Sequence, residues 1–431
     1  MNANQIQGMG LGMLSRIAQS GWPDRFGLRR PIEKLLYSGS KTGFQLVGAA
    51  ARQFSKGPAL DKAQRLPAAS KGLFDLSLTE EQQMMRETLQ RFAREVLRPA
   101  AHKADHDVEF PADIRQQALE LGLNFYAVPE ALGGMAAEQS VVTNMLAAED
   151  LGYGDFSLAA AILAPMGVAN ALTRWGTKAQ QETYLPAFAE EAPPLSTIAV
   201  VEPEPLFNPN VLSTTALRQG NEYVLSGEKS MVLLGADAEL LLVSALLDGK
   251  PAAFIVRGGS EGLSFREDEG MGLKAAGTVR MRLDKVIAEK LGEDDFDYTA
   301  FLDFSALAWC ALAIGTCQSV LDYVIPYCND RVAFGEPISH RQGVAFIIAD
   351  MAIELDSMRM MVWRAAALAE AGKPFHREAY LARLLCAERA MKIGTDGVQL
   401  LGGHGFTKEH PVERWYRDLR AVGVMHGGLH L

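Results

Sequence analysis

Cysteine is scarce in this chain, and what there is shows no metal-type spacing. Cys310, Cys317, Cys328 and Cys386 are the four in 431 residues, all in the last third and without a C-x-x-C pair. A disulfide scaffold and a cysteine-based zinc module are thereby excluded, and reduced core thiols in a cytosolic protein are expected. Basic charge is also in deficit, with 42 Lys and Arg against 52 Asp and Glu, a net charge of −10. That balance, with a pI near 5.4, argues against a general nucleic-acid binder. Long apolar runs are few. One of the two longest uncharged ones, Phe304 to Leu321, is about the minimum length of a membrane span. Ser305, Gly315, Thr316, Gln318 and Ser319 interrupt it, and Asp303 and Asp322 bracket it. It reads as a buried helix of a soluble bundle.

What is present is an apolar-rich globular chain, 48% hydrophobic with mean hydropathy near zero, long enough for two or three domains. Residues 1–72 stand apart. Through Lys71 there are eleven basic residues against Asp24, Glu33 and Asp61, about +8, which leaves about −18 on the remainder. This extension, with a candidate amphipathic helix near Ile32 to Phe54, reads as a surface arm packing on the body or on a neighbouring subunit. A transit peptide shares its composition, although acids interrupt the basic run. A membrane-surface contact is a third reading. The expected location is the cytoplasm of a bacterium, with organellar targeting by the basic segment as the alternative.

From about Leu78 the pattern is helical. Ser77 or Thr79 can cap a helix whose first turn carries Glu80 and Glu81, and Met85, Leu89, Phe92 and Val96 form its apolar stripe. Loops at Phe110-Pro111, Val128-Pro129 and Gly133-Gly134 divide further helices up to about Pro194. The period then falls to two. Val279, Met281 and Leu283 alternate with Arg280, Arg282 and Asp284, and Asp248-Gly249-Lys250 joins two apolar runs as a hairpin. Helix returns at the end, where Val344, Ile348, Met351, Leu355, Met358, Val362 and Ala365 make a bundle seam.

Several motifs sit on this frame. Gln399-Leu400-Leu401-Gly402-Gly403-His404-Gly405-Phe406 is followed by Glu413-Arg414-Trp415-Tyr416-Arg417-Asp418. Upstream are Arg331-Val332-Ala333-Phe334-Gly335 with Gln342, and Glu120-Leu121-Gly122-Leu123 ahead of Val128-Pro129-Glu130. Over about residues 75 to 427 the chain resembles the acyl-CoA dehydrogenase family. The resemblance implies an α+β fold: an N-terminal helical domain (73–194), a middle β-barrel or sandwich domain (195–296) and a C-terminal four-helix bundle (297–431). It further implies oxidation of an acyl-CoA thioester to the 2,3-enoyl-CoA, as in fatty-acid β-oxidation, with electrons passing to FAD. An electron-transfer flavoprotein or similar acceptor, and a homo- or hetero-oligomer (dimer or tetramer), come with it. No metal is expected.

By that resemblance Arg331, Phe334 and Gln342 bind the pyrophosphate and adenosine of FAD, often across a subunit interface, and Gln399, Gly402 and Gly403 are the other half of that pocket. The chemistry suits them: a guanidinium pairs with diphosphate oxygens, and glycines let backbone amides approach phosphate. Val201, Met231 and Leu233 take the positions beside the flavin ring. Glu413, Arg414, Arg417 and Asp418 read as structural salt-bridge residues.

The departures concern the reacting end. A family segment E-P-G-A-G-S-D is here Glu202-Pro203-Glu204-Pro205-Leu206-Phe207-Asn208, and G-x-K-x-W-I-T-N is Gly227-Glu228-Lys229-Ser230-Met231-Val232-Leu233-Leu234. Where the family places Tyr-Glu-Gly-Thr, with the Glu as catalytic base, this chain has Met425-His426-Gly427-Gly428. His426 can accept a proton near neutral pH. In some relatives the Glu lies instead on a helix before the Arg motif, near Ser305 here, and Asp303 is close by. His426 and Asp303 are therefore the candidate bases. The alternative function is a catalytically impaired binding or structural subunit of a hetero-oligomeric dehydrogenase.

Overall fold

The computed structural model describes residues 77–136, 139–220, 222–427 and 429. The basic extension and its candidate helix lie outside that range. Of the two cap candidates, Thr79 starts helix α1 (Glu80–Phe92) through a reciprocal capping box. Its Oγ1 accepts from the Gln82 amide at 3.1 Å, and its own amide donates to Gln82 Oε1 at 3.0 Å. Next come α2 (Arg98–Asp107), α3 (Ala112–Leu119), α4 (Val141–Gly152), α5 (Phe156–Trp175) and α6 (Lys178–Phe188). Helices α4 and α5 are apolar on nearly every side, and both are buried between other layers.

Seven strands form the middle domain: β1 (Ser196–Ala199), β2 (Thr215–Gln219), β3 (Glu222–Val232), β4 (Leu240–Leu247), β5 (Lys250–Arg257), β6 (Leu263–Glu267) and β7 (Val279–Lys290). Strands β4, β2, β3, β7 and β5 pair in succession, and β5 pairs back onto β4, closing a small barrel. β1 adds in parallel to the first half of β4, and β6 pairs with β7. The barrel interior holds Leu225, Leu241, Val243, Phe254, Val256, Met281 and Leu283. On the opposite face of β4, Leu240 and Leu242 join the helical core, so this strand is covered on both sides and reads as a continuous apolar run. Asp248 (φ 50°) and Gly249 (φ 78°) make the β4–β5 hairpin with two left-handed residues, the turn whose twist matches paired strands.

The chain then returns to helix. α7 (Tyr298–Asp330), α8 (Gln342–Glu370) and α9 (His376–Leu401) are long, and two short helices, α10 (Val412–Asp418) and α11 (Ala421–Val424), follow. The expected four-helix bundle is thus three long helices completed by short ones, with α4 packed on a further side of α7. Run 304–321 lies inside α7, which is largely buried, as a core helix is. Helices α4 and α7 touch backbone to backbone: a Cβ on Gly315 would stand 1.9 Å from the Glu149 carbonyl oxygen. The α8 seam buries Met351, Leu355, Met358, Val362 and Ala365.

Polar ties lock the layers. Arg414 Nε donates to Asp155 at 3.0 Å, Arg417 bonds both Asp105 and Glu413, and Asp418 accepts from the Leu273 amide at 2.8 Å and from Ser157 at 3.1 Å. The E-R-x-x-R-D stretch therefore joins the last helices to the first helical domain and the barrel.

Candidate active site

Where β1 and β3 leave the barrel they run side by side. The Ser230 amide donates to the Val201 carbonyl at 2.9 Å. Beneath them Lys229 and Glu202 form a fully buried ion pair at 2.8 Å. Glu202 also accepts from the amides of Ser213 (2.6 Å) and Thr214 (3.0 Å), and Lys229 also donates to the Val200 carbonyl at 3.2 Å. Burial pushes Lys229 down to about 8, against the pull of Glu202. Burial also acts to raise Glu202, but the charge of Lys229 and the hydrogen bonds outweigh it, and the net shift is downward. Asp268 then fixes the next turn, accepting from Ser230 Oγ at 2.5 Å and from the Met231 amide at 2.8 Å. Met231 is held left-handed there (φ 53°).

This platform is one wall of a cavity of about 180 Å³. Val200, Val201, Met231 and Leu233 face it from the barrel; Met145, Leu163, Met166 and Trp175 come from α4 and α5. Phe301, Phe304, Ser305, Ala308, Trp309 and Leu312 come from α7, and Met425 and His426 from the segment after α11. The lining is mostly apolar and contains no Asp or Glu among the described residues. Its titratable side chains are Arg174 and His426. Arg174 stands at the edge, its guanidinium 4.2 Å from the centre of the Phe304 ring.

His426 is 4% exposed and left-handed (φ 72°). Such a conformation costs about 1–3 kcal/mol and persists only when neighbours impose it. Arg383 of α9 does so, donating from Nη2 to the carbonyls of Met425 (3.1 Å) and Gly427 (2.5 Å). Gly427 must be glycine here: φ is 77°, and a Cβ would meet the Phe207 carbonyl oxygen at 2.2 Å. The imidazole Nε2 lies 2.8 Å from Ser305 Oγ, while Nδ1 has no hydrogen-bond partner among the described residues. Burial, with the Arg383 charge as a second cause, pushes His426 down to about 3, so the ring is neutral.

Of the candidate residues, the cavity brings together His426, Val201, Met231 and Leu233. Asp303 is not in its lining. Two residues from Ser305 on α7, it faces another side of the helix, and its carboxylate bonds His376 Nδ1 at 2.8 Å. Burial raises Asp303 to about 6, partly offset by that histidine. Arg331, Phe334, Gln342, Gln399, Gly402 and Gly403 are all exposed and also stand outside the cavity. Sequence reasoning missed Arg383 and Arg174, single arginines on helices with no motif around them. It also missed the contact between Ser305 and His426, which are 121 positions apart.

A helical domain, a closed barrel and a helical bundle around one apolar cavity define the class. The family model for the acyl-CoA dehydrogenase N-terminal domain matches residues 79–192, that for the middle domain 197–286, and that for the C-terminal domain 298–428. The acryloyl-CoA reductase (NADH) of Anaerotignum propionicum is 31% identical over 82% of this chain and 92% of its own length. The mitochondrial short-chain specific acyl-CoA dehydrogenase of Bos taurus is 32% identical over 82% of this chain and 88% of its own. The solved structure of butyryl-CoA dehydrogenase from Megasphaera elsdenii superposes with a TM-score of 0.76 at 28% identity, covering 82% of this chain and 96% of that one. The chain belongs to the acyl-CoA dehydrogenase family.

Proposed function

We propose that this chain is an FAD-dependent acyl-CoA dehydrogenase that oxidises an acyl-CoA thioester to the 2,3-enoyl-CoA. The observation that carries the reading is the cavity, with the flavin-ring positions on one wall and a buried neutral imidazole on another. The residues fit the cofactor at both ends. Val201, Met231 and Leu233 give an apolar slot for a planar ring. At the far end Arg331 makes no ion pair among the described residues, and nothing lies within 4 Å of a Cβ built on Gly402 or Gly403, so phosphate could approach. Bound FAD supplies the acceptor for the hydride that leaves Cβ. The two ends are far apart in one chain: Ser305 and Arg331 are separated by about 39 Å of α7 at 1.5 Å per residue. That distance supports an oligomer in which the exposed Arg331, Phe334 and Gly-Gly turn serve the flavin of a neighbouring copy.

His426 is the group placed to take the α-proton, through its unprotonated ring nitrogen. On its own a histidine lowered to about 3 is a weak base. Negative charge developing on the thioester oxygen within ~4–6 Å favours the imidazolium and strengthens it as the proton moves. Arg383 holds the turn, and Ser305 holds the ring edge. Four buried free thiols suit a reducing compartment, the cytoplasm in this reading. The relatives that match along most of the chain are named as enzymes, which favours turnover over a purely structural subunit.

The test is anaerobic mixing of His426→Ala and parent holoprotein with an acyl-CoA that reduces the parent. The variant is expected to bind it but to lose about 10²–10⁴ in the rate of flavin reduction. Equal rates would remove His426 from the role of base.

A further inference from the structure

We propose that His404, Glu409 and His410 form a binding site for a divalent transition cation of the zinc class. The sequence pattern assigns no metal to this chain, and this cluster exists only because the turn between α9 and α10 folds back on itself. One donor atom from each of the three lies within 4.8 Å of the others, and His404 Nδ1 and Glu409 Oε2 are 3.9 Å apart.

The set has the features of a built site. His410 is locked: its Nδ1 is 2.6 Å from the Tyr323 hydroxyl, and the rings of Tyr323 and Tyr327 meet it edge-on with centroids 6.0 and 5.7 Å away. Tyr323 is itself held against Trp415. A ligating histidine is ordinarily oriented by a second hydrogen bond of this kind. His404 is fixed through its backbone, whose carbonyl accepts from both the amide and the hydroxyl of Thr407. The neighbouring carboxylate, Glu413, is committed to Arg417 and does not compete.

Ligands at about 2.0–2.1 Å around a tetrahedral ion stand roughly 3.4 Å from one another. The three donors must therefore close by up to about 1.4 Å, and His404 and Glu409 by about 0.5 Å. The half-exposed His404 and the exposed Glu409 supply that movement by side-chain rotation, while His410 stays in place. Two imidazoles and one carboxylate favour zinc, nickel or copper over magnesium or calcium, and the solvent side leaves a fourth position for water. An ion there would clip the turn beginning at Gly402-Gly403 to the start of α10 and, through Tyr323, to α7.

The experiment is titration of the full-length purified protein with zinc chloride in competition with a chromophoric chelator, for the parent, His404→Ala and Glu409→Gln. Both substitutions are at exposed side chains and leave the core untouched. The parent is expected to bind one equivalent that each variant loses or binds about tenfold or more weakly. Zinc should raise the parent's melting temperature and leave that of His404→Ala unchanged. A parent that takes up no zinc at micromolar concentration, or variants that keep its stoichiometry and affinity, would overturn the site.

Discussion

Burying a neutral imidazole makes the stability of this fold depend on pH, and one substitution removes that dependence. His426 is lowered from its ordinary 6.5 to about 3, chiefly by burial. The unfolded ring gains a proton below about pH 6.5, and the folded ring does not. Its contribution to stability is therefore complete above the unfolded value and is lost as pH falls toward the folded one. One pKa unit is about 1.36 kcal/mol, so the shift is worth about 5 kcal/mol in all, and about 2 kcal/mol of it disappears between pH 7 and pH 5. His426→Gln keeps a polar side chain and abolishes the titration. Urea unfolding of parent and variant at pH 5, 6 and 7 isolates the term, because the other titrating groups are common to both. The parent should lose about 2 kcal/mol more than the variant across that interval. Parallel pH dependences would refute the neutral, buried ring.

Other expectations follow from the same geometry. Lys229→Met strands the Glu202 carboxylate in the barrel wall and should cost about 3–5 kcal/mol, read from the denaturant midpoint. Adding Glu202→Gln, which removes the charge and keeps an acceptor for the Ser213 and Thr214 amides, should recover part of that, and a double variant as unstable as the single one would count against the pair. Arg331→Ala should lower the flavin content of the purified protein while its flavin-free form melts at the same temperature as the flavin-free parent; full occupancy would remove Arg331 from the cofactor site.

Local chemistry made much of the fold legible. The Asp248-Gly249 hairpin, the Thr79 cap and the 344–365 seam are set by short-range rules, and each stands where its residues put it. Glu202 and Lys229 could both be picked out within motifs, but their pairing depends on how the end of β1 meets β3. The position of His426 was readable by resemblance alone. Its partner was not, because only the packing of α7 against the last turn decides that Ser305 faces the ring and Asp303 faces His376. Arg383 carries no signal in sequence, since its partners are backbone carbonyls more than forty residues away. The His404, Glu409 and His410 cluster stayed hidden for a related reason: the spacing is irregular, and a turn brings the donors together.

Anaerobic addition of short, branched and cyclic acyl-CoA thioesters to the holoprotein reads acyl-CoA dehydrogenation itself. Bleaching of the visible flavin band, with one equivalent of 2,3-enoyl-CoA formed per flavin by at least one of them, is the expected result. A band that persists with every thioester, and no enoyl product, would contradict it.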